Sequence, residues 1–455
     1  MKQAVAQDLI ASSVNRVVVG LGVTGLSCAR HLHRLGLPFT VVDTRDQPPG
    51  LDALRAEMPE VTVYAGEYPE AVITEAAELI VSPGIAMDAP LVATARAADV
   101  AVIGDIDLFV REARAPVIGI TGSNAKSTVT ELVGDMARRA QLQVGVGGNL
   151  GTPALDLLSD QQQLYVLELS SFQLERAGKL DLAVATVLNI SPDHLDRHGN
   201  MIHYHQAKHR IFRGCRSAVV HTDDPLTMPL LEDQVPIIPW RLGEPALNGF
   251  GLRRQGDGEY IAHGLELLMP VAHVRMAGRH NLANALAALA LGHAAQLPME
   301  PMLDALRSFP GLPHRCEVVA DIRGVRYVND SKGTNIGAAQ AALSGLGGER
   351  DIVLIAGGQG KGADFVDLLP AVKRHCRHLV LIGEDADALQ QALHGAAPIT
   401  RADTLEDAVL RATEAASAGD TVLLSPACAS FDMFSGYVAR GETFAACVRA
   451  LEVQP

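Results

Sequence analysis

One stretch in the first third of the chain narrows the possible folds most. Residues 116–130 read PVIGITGSNAKSTVT, an apolar run that stops at a loop of small residues and then resumes at helical spacing. This pattern predicts a strand, a phosphate-binding loop and a helix that begins close to Lys126. Backbone amides and the positive end of a helix dipole at such a loop attract anions. The expected ligand is a nucleoside triphosphate.

The loop departs from the commonest phosphate-loop pattern. Ile120 and Ala125 stand where G-x-x-x-x-G-K-[ST] has glycine, so an ordinary strand-to-helix turn with an exposed lysine stays open. The shorter pattern T-G-x-x-G-K-[ST]-[ST] fits residues 121–128 except at Ala125. If Ala125 adopts a positive φ, the cost is about 1 kcal/mol relative to glycine. The hydroxyl of Ser127 is placed to reach a magnesium ion.

Length and charge limit the classes of protein that the chain can represent. Its 455 residues suggest two to four domains. The 38 basic and 52 acidic residues give a formal net charge of −14, which argues against sequence-independent binding to nucleic acid. The six cysteines are far apart and have no metal-binding spacing, as expected of free thiols in a reducing cytosol. Without a signal sequence or an apolar run of eighteen residues, we expect a cytoplasmic protein that does not insert into a membrane.

The N-terminal segment has the pattern of a nucleotide-binding βαβ unit. G-x-G-x-x-G occupies residues 20–25, and Asp43 ends the following strand at the distance typical of a ribose-binding acid. This pattern favours NAD, although a glycine turn that only lets helix and strand pack closely remains possible. Arg45 beside the acid, and a second strand-end loop at residues 79–85, carry no redox chemistry. The segment up to Gly104 therefore predicts a nucleotide-shaped pocket without a reacting group.

Three charged residues of the middle segment are candidates for metal chemistry. Glu168 is the only charge in the apolar run QLYVLELSSFQ and needs a partner if it is buried, for which a hard cation shared with Ser127 is suitable. The alternative is a carboxylate at a solvent-facing strand end. His194 follows another strand and either ligates metal or caps its loop. Lys208 lies among basic residues of a predicted helix, where a solvated face is the usual outcome.

The remaining sequence predicts a third α/β unit. The motif G-x-H-N at residues 278–281 opens an alanine-rich helix, in which Asn281 either caps the helix or contacts adenine. A proline-rich seam near residue 311 is followed by four strands, each of which ends in a polar or glycine loop. We predict an α/β fold with three domains (1–104, 105–311 and 312–455), each with a mostly parallel, doubly wound sheet of the Rossmann-like or P-loop kind.

Nine motifs together resemble the Mur ligase family. They are TGSNAKST, VGGNLG, LELSSFQLE, DHLDRH, HNLANALAAL, GLPHRCE, NDSKGTN, GGQGKGADF and LLSPACASFD. The resemblance covers nearly the whole chain and is strongest to the members that add glutamate to UDP-N-acetylmuramoyl-L-alanine. It implies that ATP phosphorylates the carboxylate of that substrate and that the amine of D-glutamate then attacks the acyl phosphate, in peptidoglycan precursor synthesis.

The resemblance also assigns residues to roles. The implied catalytic residues are Lys126, Asn149, Glu168, His194 and Lys208. Two Mg²⁺ ions are implied, one on Ser127 and Glu168 and the other on His194 and a carbamylated Lys208. The implied ATP contacts are Gly122, Ser123, Asn124, Ala125, Lys126, Ser127, Thr128, Asn281, Asn284, Arg315 and Asp330. The implied UDP contacts are Val23, Thr24, Asp43, Thr44, Arg45, Ser82 and Gly84, and the glutamate contacts are Lys332, Thr334, Lys361, Ser430 and Tyr437.

Two departures from the family pattern leave one property open. Gly333 replaces the alanine of NDSKATN, and Tyr437 stands where we expect phenylalanine, so the stereochemistry of the amino acid is less well determined than its identity. The alternatives are an NAD-dependent oxidoreductase, a nucleotide-dependent switch protein and, within the family, a folyl-polyglutamate ligase, which has little use for a UDP-type first unit. We expect a monomer whose three units close on their ligands.

Overall fold

The computed structural model describes residues 15–276 and 278–452, which form three β-sheets flanked by helices. Each sheet is mostly parallel, as the sequence predicts. Among the described residues, no helix is both long and apolar enough to cross a lipid bilayer.

The first unit contains a five-stranded parallel sheet. Its strands are β1 (Arg16–Val19), β2 (Phe39–Asp43), β3 (Val63–Ala65), β4 (Glu78–Val81) and β5 (Ala101–Ile103), in the order β3-β2-β1-β4-β5. Its helices are α1 (Val23–Arg34), α2 (Leu51–Glu57), α3 (Glu70–Thr74) and α4 (Pro90–Ala97). Val19 of β1 is in register with Val81 of β4, so the loops that follow these two strands emerge side by side.

The middle unit contains a nine-stranded sheet. Its strands are β6 (Val117–Thr121), β7 (Val144–Gly148), β8 (Leu164–Glu168), β9 (Val184–Val187), β10 (Ala218–His221), β11 (Ile237–Trp240), β12 (Phe250–Gln255), β13 (Gly258–His263) and β14 (Glu266–Pro270). Its helices are α5 (Asp105–Glu112), α6 (Lys126–Arg139), α7 (Ser171–Leu174), α8 (Leu195–His198), α9 (Met201–His209), α10 (Arg279–Ala294) and α11 (Met299–Ser308). Short 3₁₀ helices span Ala154–Leu157, Arg210–Phe212, Pro225–Thr227 and Val271–His273.

The order of the middle sheet explains where its functional loops meet. The strands are arranged β14-β13-β12-β11-β10-β9-β6-β8-β7, and β6 pairs in parallel with both β8 and β9. The chain leaves the carboxyl ends of these three strands at one edge, which is where ligands bind in open α/β sheets. The antiparallel strands β12 to β14 at the other side of the sheet are not predicted by the sequence pattern, because buried, partly buried and exposed residues do not alternate regularly along them.

The third unit contains a six-stranded sheet in which one strand runs antiparallel. Its strands are β15 (Glu317–Ile322), β16 (Val325–Asn329), β17 (Ile352–Gly357), β18 (Cys376–Ile382), β19 (Ile399–Arg401) and β20 (Thr421–Leu424), in the order β15-β16-β20-β17-β18-β19. Its helices are α12 (Ile336–Leu346), α13 (Leu369–His375), α14 (Ala386–Ala392), α15 (Leu405–Ala415) and α16 (Tyr437–Glu452), with a 3₁₀ turn at Phe365–Leu368. Only β15 opposes its neighbour, and the other pairs are parallel.

One hydrophobic cluster joins the first two units across the seam at Gly104. It runs from Val18 and Ile80 of the first sheet through α5 to Leu167 of the middle sheet. Phe109 of α5 contacts Tyr165 edge-to-face, with ring centroids 5.0 Å apart. Because burial of apolar surface is the main favourable contribution to folding, this shared core ties the first sheet firmly to the middle one.

Candidate active site

The phosphate loop has the form that the sequence predicts. β6 ends at Thr121 and α6 begins at Lys126. Ala125 immediately before the helix has φ 66°, so the left-handed conformation anticipated for this residue is present. The loop is held by Asn189, which follows β9: its carbonyl accepts from the Ser123 amide at 3.0 Å, and its side chain accepts from the Asn124 amide at 2.8 Å.

Lys126 lies folded back over the loop from which it projects. Its Nζ donates to the carbonyl oxygens of Gly122 at 2.9 Å and Ser123 at 3.0 Å. Burial lowers the pKa of this amine below its ordinary value, and the Glu168 carboxylate partly opposes that effect. The ammonium is therefore held against the backbone of the phosphate loop itself.

Glu168 is buried, so the alternative of a solvent-facing carboxylate is wrong. Its side chain is 3% exposed. One carboxylate oxygen accepts a hydrogen bond from Asn149 Nδ2 at 2.6 Å, whereas the other is buried and has no hydrogen-bond partner among the described residues. Gly148 permits this arrangement, because a Cβ there would lie 2.5 Å from the Glu168 carbonyl oxygen.

The unpaired oxygen of Glu168 makes the site suitable for a hard cation. Glu168 and Ser127 line one cleft beside the phosphate loop. Ser127 Oγ accepts a hydrogen bond from Arg315 Nη2 at 2.6 Å. A carboxylate and a hydroxyl are ligands that Mg²⁺ prefers, and Mg²⁺ usually completes its shell with water and phosphate oxygens. The described residues contain no group of three or more His, Cys, Asp or Glu side chains able to hold a metal by themselves.

His194 and Lys208 lie in different surroundings near the phosphate loop. His194 is left-handed at φ 52°, lines the cleft, and has Nε2 3.6 Å from an Asp193 carboxylate oxygen. Lys208 is only 1% exposed, so it does not lie on a solvated face. Its Nζ donates to the Gly122 carbonyl at 2.8 Å and stands 4.6 Å from the centre of the Tyr204 ring. Lys208 thus bonds the loop itself, whereas His194 lines the cleft beside it.

Lys208 has an unusual electrostatic environment. Burial lowers the pKa of its amine well below the ordinary value, and the neighbouring charge of Lys126 acts in the same direction. A neutral amine is the form that reacts with carbon dioxide. Lys208 does not line the cleft that contains Glu168 and His194, so the carbamate that the resemblance implies stays a prediction.

A second cleft, of about 200 Å³, lies between the middle and third units. Its lining residues include Asn124, Ala125, Thr128, Asn281, Asn284, Arg315 and Asp330, all expected at ATP. The cleft also contains Trp240 and His280, which were not singled out from the sequence. Both ring nitrogens of His280 are buried without a hydrogen-bond partner among the described residues, and burial lowers its pKa to about 4. The sequence does carry a signal for His280, which immediately precedes Asn281 in the GRHN motif.

Asp330 and Arg315 bring the third unit to this cleft. Burial raises the pKa of Asp330 to about 6, although Ser425 Oγ donates to its carboxylate at 2.7 Å. Arg315 is held close enough to bond Ser127 of the phosphate loop. The two residues therefore lie beside the nucleotide position despite being far from it in the sequence.

The residues expected to bind glutamate form one wall of the cleft that contains Glu168. This cleft has a volume of about 470 Å³, and its wall in the third unit includes Lys332, Thr334, Lys361, Ser430 and Tyr437. Burial lowers the pKa of Lys332 to about 8, and its Nζ lies 4.0 Å from the centre of the Tyr437 ring. A cationic pocket thus opens directly onto the phosphate loop.

Asn335 also connects the third unit to the phosphate loop. It is the last residue of the NDSKGTN motif, but no role was assigned to it from the sequence. Its Nδ2 donates to Asn124 Oδ1 at 3.1 Å and to Asp193 Oδ2 at 3.2 Å. Its Oδ1 accepts from the Ala338 amide at 2.8 Å and caps α12. One amide therefore both starts a helix and holds two units together.

The residues expected to bind UDP lie at the carboxyl end of the first sheet. Val23 and Thr24 begin α1, Asp43 ends β2 and is followed by Thr44 and Arg45, and Ser82 and Gly84 follow β4. Gly20 and Gly25 make this packing possible, because a Cβ on Gly25 would lie 1.8 Å from the Gly20 carbonyl oxygen.

Asp43 is already bonded within its own unit. Its carboxylate accepts from the Leu21 amide at 2.6 Å and from Arg45 Nη2 at 2.7 Å. Burial by itself would raise the pKa of this carboxyl, but the bonds from Arg45 and Leu21 bring it below its ordinary value. This arrangement does not favour the NAD alternative, which needs the acid to accept from a ribose hydroxyl.

Three family comparisons match successive parts of the chain. Residues 14–104 match the Mur ligase MurD-like N-terminal domain, residues 120–292 the Mur ligase middle domain, and residues 314–428 the Mur ligase glutamate ligase domain. Among solved structures, the chain is similar to a pseudomurein peptide ligase type C from Methanothermus fervidus (TM-score 0.62, 16% identity, 96% of this chain and 100% of that one). It is also similar to MurF from Acinetobacter baumannii (TM-score 0.58, 16% identity, 95% and 93%). These two likenesses concern the fold alone.

Curated relatives are much more similar in sequence. The UDP-N-acetylmuramoylalanine–D-glutamate ligase of Pseudomonas aeruginosa is 55% identical over 98% of this chain and 100% of its own length. The ligase of the same name from Hahella chejuensis is 52% identical over the same shares. The chain therefore belongs to the Mur ligase family.

Proposed function

We propose that this protein is an ATP-dependent ligase that joins D-glutamate to UDP-N-acetylmuramoyl-L-alanine in cytoplasmic peptidoglycan precursor synthesis. The observation that carries the proposal is the meeting, in one cleft, of a phosphate loop, a buried carboxylate with an unpaired oxygen and a cationic pocket from another unit. Sequence identity above one half to ligases of this name, over almost their whole length, supports the same activity.

The reaction needs two bond exchanges at this cleft. In the first, a carboxylate oxygen of the muramoyl substrate bonds to the terminal phosphorus of ATP while the bond to ADP breaks. In the second, the glutamate amine bonds to the acyl carbon, phosphate leaves and the amine loses a proton. Phosphoryl transfer depends mainly on positioning and charge neutralisation. Lys126 and the loop amides would hold the transferred phosphate, and Arg315 would neutralise charge from the opposite side.

Magnesium fits the donor set found around Glu168. Ser127 and Glu168 would hold one ion, and His194 and a carbamylated Lys208 would hold the second. When bound, Mg²⁺ supplies neutralisation of the phosphate charge. Asn149 would keep the Glu168 carboxylate in place, because its amide donates to one of the two oxygens and leaves the other oxygen available.

We propose that the three units divide the ligands among them. Residues 1–104 would bind UDP through Val23, Thr24, Asp43, Thr44, Arg45, Ser82 and Gly84. Residues 105–311 would bind ATP through Gly122 to Thr128, Asn281 and Asn284, with Arg315 and Asp330 reaching in from residues 312–455. Lys332, Thr334, Lys361, Ser430 and Tyr437 would bind glutamate, whose two carboxylates require nearby cations and hydrogen-bond donors.

The test is a ligase assay that compares D- and L-glutamate directly. We expect phosphate release and amide formation only when ATP, UDP-N-acetylmuramoyl-L-alanine, D-glutamate and Mg²⁺ are all present. ATP hydrolysis that ignores the other substrates would instead support a nucleotide switch, and a product made with a folyl substrate would support the neighbouring ligase class. Preference for L-glutamate would show that the departures from the family pattern at Gly333 and Tyr437 alter the pocket. Light scattering of the same preparation would test the expected monomer.

A further inference from the structure

A buried arginine crosses the seam between the first and middle units. Arg176 follows α7, and its side chain has no exposed surface. Its Nε donates to the Phe172 carbonyl at 2.8 Å within the middle unit. The two terminal nitrogens reach four carbonyls of the first unit, at Val81 (3.1 Å), Ser82 (2.5 Å), Pro83 (3.3 Å) and Ile85 (3.0 Å). One planar guanidinium thus holds almost every carbonyl of the loop at residues 82–85.

That loop is itself fastened to the glycine turn of the first unit. Ser82 Oγ donates to the Gly20 carbonyl at 2.8 Å. A Cβ on Gly20 would lie 3.1 Å from Ser82 Cβ, so the two segments are in close contact. The loop and the turn carry Ser82, Gly84, Val23 and Thr24, four of the residues proposed to bind UDP. Arg176 therefore holds a block of the proposed UDP site, not an isolated loop.

The same clamp extends to the segment that carries His194. The Glu175 carboxylate accepts from Arg176 Nη2 at 2.8 Å and also from Arg197. Arg197 Nη2 in turn donates to the Ile85 carbonyl at 2.7 Å. Arg197 belongs to α8, which begins directly after His194. The single negative charge of Glu175 is shared by the two arginines and offsets one of their two positive charges, and a buried cation requires such a partner.

We propose that Arg176 is a positioning residue that fixes the UDP-binding loops relative to the phosphate loop, with Glu175 and Arg197 completing the clamp. The inference rests on the proposed function, because only a substrate shared between the first and middle units needs that fixed relation. Arg176 takes no part in the bond changes. Its effect would be on the placement of the substrate carboxylate, and an error of about 1 Å in such a placement costs up to 100-fold in rate.

The main test compares Arg176→Met with Arg176→Lys. Methionine fills similar space without donors, and lysine keeps the charge but not the planar fork that reaches four carbonyls. We expect kcat to fall roughly 10- to 100-fold in Arg176→Met and less in Arg176→Lys. The dissociation constant of a non-hydrolysable ATP analogue, which is bound mainly by the middle unit, should change less than about twofold.

Arg210→Met is the matched control. The Arg210 guanidinium also donates to a backbone carbonyl, that of Ala177, but this bond stays inside the middle unit. The Arg210→Met substitution should lower thermal stability without lowering kcat. If Arg176→Met does not fold, Gly104→Ala replaces it, because a Cβ at Gly104 would lie 2.8 Å from Arg176 Cγ and press on the stem while leaving all donors present.

Hydrogen exchange gives a readout that does not depend on activity. The amides of Ser82, Gly84 and Ile85 should exchange faster in Arg176→Met than in wild type, and their exchange should be unchanged in Arg210→Met. An Arg176→Met enzyme that is folded and has wild-type kcat would overturn the positioning role. Inactive wild-type protein would overturn the proposed function instead. Exchange at residues 82–85 that is the same in Arg176→Met as in wild type would overturn the clamp, whether or not the protein is active.

Discussion

Asn335→Asp separates the two tasks of one side chain at the boundary between the middle and third units. Aspartate caps a helix as well as asparagine does, so the bond from the Ala338 amide that starts α12 is retained. The two bonds to Asn124 and Asp193 are lost, because a carboxylate has no N–H to donate. The new charge also faces the carboxylate of Asp193.

The size of the effect follows from these contacts. A neutral hydrogen bond contributes about 1 kcal/mol and one to a charged group about 1.5–3 kcal/mol. The contact between the units should therefore weaken by about 2.5–4 kcal/mol, before any repulsion between the carboxylates. Since about 1.4 kcal/mol is a factor of ten, the balance between associated and separated units should shift roughly 10²- to 10³-fold toward separation.

The assay combines solution scattering with kinetics. In the presence of an ATP analogue and the UDP substrate, Asn335→Asp should give a larger radius of gyration than wild type and a kcat/KM lower by about the same factor as the shift, on the order of 10². Thr404→Ala is the control: it removes the cap of α15, where Thr404 Oγ1 accepts from the Asp407 amide at 3.1 Å, on the opposite face of the third sheet. It should cost about 1 kcal/mol of stability and leave scattering unchanged. A folded Asn335→Asp enzyme with wild-type scattering and kinetics would refute the reasoning.

Three further predictions concern lysines of the cleft. Lys126→Ala should abolish ATP-dependent phosphate release, because it removes the cation proposed to hold the phosphates, while the protein stays folded. Measurable turnover in this variant would contradict the role of Lys126 at the phosphates. Lys208→Ala should lose activity that added acetate or formate partly restores, and a fully active variant would eliminate the carbamate. The pKa of Lys332 is about 8, so its charge is present below pH 8 and is lost as the pH rises through that value; the KM for glutamate should then increase above pH 8. Lys332→Arg should flatten this dependence, and an equally steep rise in that variant would assign the titration to another group. Because the unfolded amine keeps its proton up to about pH 10.4, the unfolded state binds more protons between pH 8 and 10.4, and Lys332 should make the protein more stable across that interval as pH increases.

Local patterns were enough to locate several elements of the site. The start of α6 at Lys126, the left-handed Ala125 and the burial of Glu168 all agree with the sequence. Each depends on a pattern that extends over only a few residues: the period of apolar positions, a loop position usually occupied by glycine, or a single charge inside an apolar strand. The α/β class with parallel sheets followed for the same reason, because βαβ units repeat along the chain.

Contacts between distant segments could be obtained only from the tertiary structure. Arg315 bonds Ser127 across 188 residues of sequence, and Arg176 reaches carbonyls about ninety residues before it. Lys208 looked like part of a solvated basic helix, yet the packing of α9 beneath the phosphate loop buries it. The sequence by itself determined which segments carry the chemistry, because periodicity and turn residues act locally. Which side chains meet was decided by the packing of whole units, because burial and hydrogen bonding depend on the neighbours that folding brings into contact.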